Sequence, residues 1–211
     1  IIGGMTMTGL AGKFAHLVND LTGSLQFPTL FVTACLTVVL GLGMPTPSAY
    51  ILSAALMTPI LTEIGVATLP AHMFVFYYAV MSALTPPVAV AAYAASSIAE
   101  DNPLLIAVIA VKFALAAFIV PFAFVYGPEL LFEGPWHIIL ISLITAIAGL
   151  ILISAALEGY FKTHLVIWER LIIGISGFGL LMPNHYTGII SLFLIGFYFV
   201  IKKLAGRVNI D

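Results

Sequence analysis

The chain has 211 residues, of which 62% are hydrophobic and 8% charged, with a formal net charge of -2. A soluble domain is nearer half apolar and a quarter charged, so this composition excludes one and describes an integral membrane protein. The sequence holds no basic patch for a nucleic acid, and its single cysteine, Cys35, rules out an intrachain disulfide and a cysteine metal pair.

Taken in order, the chain starts at Ile1 without a signal-peptide pattern, and we expect it to be part of a longer protein. Residues 1–27 read as a connecting region in which 5–20 form an interfacial helix, with Lys13, His16 and Asp20 on the polar side. Intervals almost free of charge then predict apolar segments at 28–62, 71–98, 103–126, 136–157, 166–182 and 187–203. No strand alternation interrupts them. The expected fold is an all-α membrane protein made of a re-entrant helical hairpin (28–62), a discontinuous helix with the transmembrane helix that follows it (71–126), and additional C-terminal transmembrane helices (136–211).

Segment 28–62 is too long for one ordinary span and too short for two. Its centre reads "GLGMPTPS", two glycines and two prolines that break a helix. Each arm would cross about two thirds of a bilayer core, which predicts a hairpin tipped at Gly43–Thr46. One kinked, tilted helix is the alternative. The next segment, "YYAVMSALTPPVAVAAYAASS", carries Pro86 and Pro87 after Thr85, which predicts a true break at Leu84–Pro87 rather than a kink satisfied by neighbouring helices.

A proline removes the N–H that would pair with the carbonyl four residues back. On that count the carbonyls of Gly41, Gly43, Ser82 and Ala83 are expected to be unpaired. Such backbone survives at membrane depth only inside protein or beside a cavity. Carbonyls there, with the hydroxyls of Thr46, Ser48, Ser82 and Thr85, suit a small hard cation. The N-terminus of the second arm of each broken element carries partial positive charge and suits a carboxylate. Candidate substrate contacts are therefore Pro45, Ser48, Pro86 and Pro87, with Tyr93 and Lys112. Broken half-helices around a central ion and substrate site are the layout of a secondary transporter.

"GLGMPTPSAYILSAALMTPIL" followed by "AVMSALTPPVAVAAYAASSIA" resembles the second half of the large membrane subunit of tripartite ATP-independent periplasmic (TRAP) transporters. "KFALAAFIVPFAFVYGPELLFEG" and the apolar tail are similar to the TAXI branch, whose membrane subunits are often fused. The resemblance covers residues 1–135 well and 136–211 loosely. It implies an elevator-type permease of the bacterial or archaeal cytoplasmic membrane, built from two inverted repeats of which this chain carries the second. Such a permease moves organic acids inward with a sodium gradient, needs no cofactor, and receives substrate from an extracytoplasmic solute-binding protein. The partners implied are that binding protein, the N-terminal repeat or a fused small membrane subunit, and membrane lipid. Carried over, the cation site falls on Gly41, Gly43, Met44, Thr46, Ser82 and Thr85. The C4-dicarboxylate and sialate branches usually place an acidic residue near this tip, where this chain has Met44-Pro45-Thr46, so substrate identity does not carry over.

A hairpin entering from outside puts Lys162, Arg170, Lys202, Lys203 and Arg207 at cytoplasmic ends and Glu129 and Glu133 outside, in line with the positive-inside tendency; Lys13 is the exception. Lys112 is the only charge well away from the ends of a predicted span, either snorkelling or making a structural pair, or else serving substrate binding or gating. Tyr77, Tyr78 and Tyr93 flank the second break and either line a cavity or bond between helices. His72, His137, His164 and His185 sit near segment ends and read as interfacial, and Trp136 and Trp168 fit an aromatic belt. No metalloprotease, intramembrane aspartate-pair or serine-hydrolase motif is present, which argues against an enzyme. A channel could also use free carbonyls. The second reading is another inverted-repeat, ion-coupled transporter of organic or inorganic anions that works without a binding protein.

Overall fold

The computed structural model describes residues 9–161, 163–182 and 185–208. The chain divides into two compact units, Ile1–Ala114 and Leu115–Asp211. That boundary falls inside the predicted span 103–126.

In the first unit, α1 (Leu10–Thr22) lies between two left-handed glycines, Gly9 and Gly23. The expected interfacial helix thus runs past residue 20, and its expected start at residue 5 lies outside the described residues. Lys13, His16 and Asp20 are exposed, while Ala15 and Val18 are buried. Segment 28–62 is two helices, α2 (Gln26–Gly41) and α3 (Thr46–Glu63), which pack on each other. One kinked helix is thereby rejected. Both pack on α4 (Thr68–Met81), and α1 packs on α2 and α3. Thr22 and Thr29 join α1 to α2 through a 2.9 Å hydroxyl contact. Asn19 donates to Glu63 Oε2 at 3.2 Å, tying α1 to the end of α3.

After α4 the chain leaves helical geometry for Ser82–Ala89 and resumes as α5 (Val90–Ala99). The break is real and wider than Leu84–Pro87. Next comes α6 (Pro103–Ala114), bent 116° from α5 and packed on it. Asn102 starts α6: its Oδ1 accepts the Leu104 N–H at 2.9 Å, and Pro103 opens the helix where an N–H would be unpaired anyway.

In the second unit, a short 3₁₀ turn (Ala117–Ile119) runs into α7 (Val120–Tyr126). The predicted continuous helix 103–126 is therefore interrupted at Leu115–Ala116. Pro121 sits in the first turn of α7, where its missing N–H is harmless. A second 3₁₀ turn, Pro128–Leu131, leads to α8 (Trp136–Glu158). Two two-residue strands, β1 (Tyr160–Phe161) and β2 (Thr163–His164), pair antiparallel before α9 (Ile167–Leu181) and α10 (His185–Val208). Strand pairing there was not expected. Lys162 and the side chains of His185, Lys202, Lys203 and Arg207 lie outside the described residues.

α8 packs on α9 through glycine. A β-carbon on Gly149 would stand 2.7 Å from the Gly177 carbonyl, and one on Gly177 would stand 2.8 Å from the Gly149 carbonyl. This backbone approach is the small-residue packing that holds helices together where no hydrophobic force acts between them. Arg170 closes the C-terminal end of α8: Nε donates to Ala156 O at 2.9 Å and a second guanidinium N–H to Leu157 O at 2.7 Å. Among the described residues, α8 alone is long and apolar enough to cross a bilayer unaided. Gln26–Gly41, Thr68–Met81 and Ala117–Tyr126 are shorter apolar helices, and Val90–Ala99 with Pro103–Ala114 is a bent pair. Large outward-facing apolar side chains such as Phe31, Ile98 and Phe113 suit a lipid surrounding.

Candidate cation and substrate site

The hairpin turn is Leu42–Pro45. Gly43 supplies a φ of +75°, which lets the chain reverse after α2 at no side-chain cost. Pro45 is the residue before α3, and Pro47 lies within its first turn, where helices tolerate proline.

The second break winds down stepwise. Ala83, Leu84 and Thr85 N–H donate to the carbonyls of Val80, Met81 and Ser82, and Ala91 N–H reaches back to Ala83 O at 3.1 Å. The side chains help: Ser82 Oγ donates to Ala79 O at 2.7 Å and Thr85 Oγ1 to Met81 O at 2.9 Å. The Pro86–Pro87 peptide is cis.

These bonds correct the expected set of unpaired carbonyls. Gly41 O accepts the Met44 N–H at 3.1 Å, Ser82 O accepts Thr85 N–H, and Ala83 O accepts Ala91 N–H. The turns' own N–H groups do what the prolines cannot. Among the described residues, the carbonyls of Leu42, Gly43, Met44 and Leu84 accept no hydrogen bond. Gly43 therefore stays in the expected set, and Leu42, Met44 and Leu84 join it. The N-termini also differ from expectation. At α3 the Thr46 and Ser48 N–H groups have no acceptor, whereas at α5 the Ala91 and Ala92 N–H groups are already paired.

The two breaks meet. A β-carbon on Gly41 would collide with Ser82 Oγ, lie 2.8 Å from Ser82 Cβ and touch Ala49 Cβ at 3.4 Å. One on Gly43 would stand 3.3 Å from Val88 Cγ1. Gly41 and Ser82 are buried; Met44, Thr46, Thr85 and Pro86 are half-buried; Gly43, Pro45, Ser48 and Pro87 are exposed. The contact is direct packing of Ser82 into the notch at Gly41, not the small polar cavity that two facing loops suggest.

The remaining candidates stand elsewhere. Tyr93 is 49% exposed on α5. Lys112 is exposed on the last turn of α6, where its charge suits the helix dipole, rather than in the middle of a continuous span. Tyr78 is buried, its ring centroid 4.9 Å from that of Phe74 one turn earlier on α4. His72 is not merely interfacial: its Nδ1 and the Tyr50 hydroxyl are 2.9 Å apart, joining α4 to α3.

Sequence reasoning missed a row of hydroxyls. Thr29, Thr33 and Thr37 recur every four residues along α2 and lead to Gly41, and all three are fully buried. Ser53 on α3 is equally buried. The hydroxyls of Thr33, Thr37 and Ser53 have no partner in the structure. The fourfold spacing was the available signal.

The family model described as "Tripartite ATP-independent periplasmic transporter, DctM component" matches residues 1–131. No curated protein and no solved structure matches the chain. The matched stretch contains both breaks.

Proposed function

Because this chain belongs to the DctM component family of tripartite ATP-independent periplasmic transporters, we propose that it is part of a sodium-driven permease for organic acids. Members of this family are integral membrane transporter subunits that generally work with a solute-binding protein and a small membrane subunit. In the proposal the chain is the second of two inverted repeats of a TAXI-type fused permease in the cytoplasmic membrane, and the binding protein delivers substrate to it.

The observation that carries this reading is the junction of the two breaks at Gly41 and Ser82. Two interrupted helices meeting end to end gather backbone dipoles at one point, as broken helices do in secondary transporters. Sodium is held there by the turn carbonyls Leu42, Gly43 and Met44, by Leu84 O, and by the hydroxyl lone pairs of Thr46, Ser82 and Thr85. The Ser82 and Thr85 protons are already committed to carbonyls, so each hydroxyl oxygen can act only as an acceptor. The substrate carboxylate takes the free Thr46 and Ser48 N–H groups at the start of α3, beside Pro45 and Pro47. Pro86 and Pro87 shape the opposite wall. Tyr93 and Lys112 enter only as contacts made when helices move.

The test is reconstitution of the complete permease in liposomes, with and without its binding protein loaded with an organic acid. Uptake that requires the loaded binding protein supports the reading. Equal uptake of the free acid without the binding protein favours a transporter that works alone.

A further inference from the structure

The second unit contains a cleft of about 180 Å³ that belongs to no part of the junction described above. Its walls come from the first turns of α8, the end of α9 and the start of α10, and include Ile138, Ile141, Leu180, Ile189 and Leu192. Glu129, from the turn before α8, also lines it. Its Oε2 is buried and has no hydrogen-bond partner. Arg170 is occupied at the opposite end of α8 by the carbonyls of Ala156 and Leu157. A buried carboxylate oxygen calls for a hydrogen-bond donor, and a cationic donor suits it best.

Apart from the hydroxyls of Ser142 and Thr145 the rest of the lining is apolar, and Ile141, Ile189 and Leu192 are each more than half exposed. Trp136 begins α8 and is exposed, which sets this end of the helix at headgroup depth. Ile138 and Ile141 then lie deeper, at the level of acyl chains. A ligand matching this profile has a hydrogen-bonding cation at one end and an alkyl chain at the other.

We propose that the cleft binds a phospholipid with a primary-ammonium headgroup. The ammonium donates to Glu129 Oε2 as a charge-assisted hydrogen bond, and an acyl chain lies along Ile141, Ile189 and Leu192. A quaternary choline headgroup has no N–H to donate, so the site discriminates between the two common zwitterionic headgroups. The lipid fills the cleft between α8, α9 and α10 and stabilises this unit by mass action.

The test is thermal unfolding of the purified full-length protein in detergent micelles doped with phosphatidylethanolamine or phosphatidylcholine of identical acyl chains. Phosphatidylethanolamine is expected to raise the midpoint by about 3 °C more than phosphatidylcholine. Glu129→Gln should abolish that difference and leave the phosphatidylcholine midpoint unchanged. Native mass spectrometry of the unaltered protein, which requires no variant, should retain phosphatidylethanolamine preferentially. Equal effects of the two lipids, or a preference that survives Glu129→Gln, would overturn the proposal. An equal rise from glycerophosphoethanolamine without acyl chains would overturn the lipid assignment.

Discussion

Ser82 sits directly over Gly41, so that the end of the hairpin's first helix and the start of the second break touch through a serine side chain and a bare α-carbon. This fit ties two interruptions lying 41 residues apart in sequence (82 − 41) into one junction. Neither partner tolerates extra volume.

Gly41→Ala therefore should destabilise the protein by about 1–3 kcal/mol through overpacking. Ser82→Gly in the same protein should recover most of that loss, because it removes the atoms a new methyl group would strike. Thermal unfolding of both single variants and the double variant measures the coupling. Additive losses would show that the two positions do not share a contact.

Thr37→Val replaces a buried, unpartnered hydroxyl with a methyl group of the same shape. An unsatisfied buried polar group costs about 1–3 kcal/mol, so this substitution should raise the melting midpoint. Thr33→Val should do the same. Thr29→Val should not, because the Thr29 hydroxyl donates to Leu25 O at 2.8 Å and meets Thr22. A lower midpoint for Thr37→Val would mean that the hydroxyl has a partner outside the protein.

Gly177→Ala should separate α8 from α9, since its new carbon would press on the Gly149 carbonyl and the Ile153 backbone N at 3.0 Å. A loss of about 1–3 kcal/mol is expected. Gly188→Ala is the control: nothing lies within 4 Å of a β-carbon there. Equal effects of the two changes would count against close helix packing at Gly177.

Arg170→Met should cost about 1.5–3 kcal/mol, because two carbonyls at the end of α8 lose a charged donor. Arg170→Lys should recover only part, since an ammonium cannot reproduce the planar fork that reaches Ala156 and Leu157 together. Limited proteolysis near Gly159 should accelerate in Arg170→Met and less so in Arg170→Lys.

Much of this architecture could be read from glycine and proline. "GLGMPTPS" and "TPP" mark both interruptions because Gly43 supplies a left-handed turn and the prolines deny the ladder its N–H groups. The same rule misjudged the carbonyls. Counting missing N–H groups four residues ahead ignores the tighter turns, in which Met44 and Thr85 N–H pair with Gly41 and Ser82 O. The break at Leu115–Ala116 was not legible: "FALAAFI" contains no glycine or proline, and Pro121 comes only after the chain has resumed. The threonine row on α2 was overlooked for a different reason. In an apolar stretch the hydrophobic period carries no contrast, and the informative period belonged to the few hydroxyls. Lys112 was assigned to the middle of a span because the interruption after Ala114 has no local signal.

The most direct measurement of the central claim is uptake by the complete permease in proteoliposomes, with loaded binding protein, under a gradient of one ion at a time. Carbonyls and hydroxyls at the junction suit a dehydrated sodium ion, and neither titrates near neutral pH. The account predicts uptake driven by inward sodium and insensitive to a proton gradient alone. Thr85→Ala should raise the sodium concentration needed for half-maximal uptake several-fold, and Thr85→Ser less, because it keeps the oxygen. Uptake that follows a proton gradient in sodium-free buffer, with no response to sodium in either protein, would contradict it.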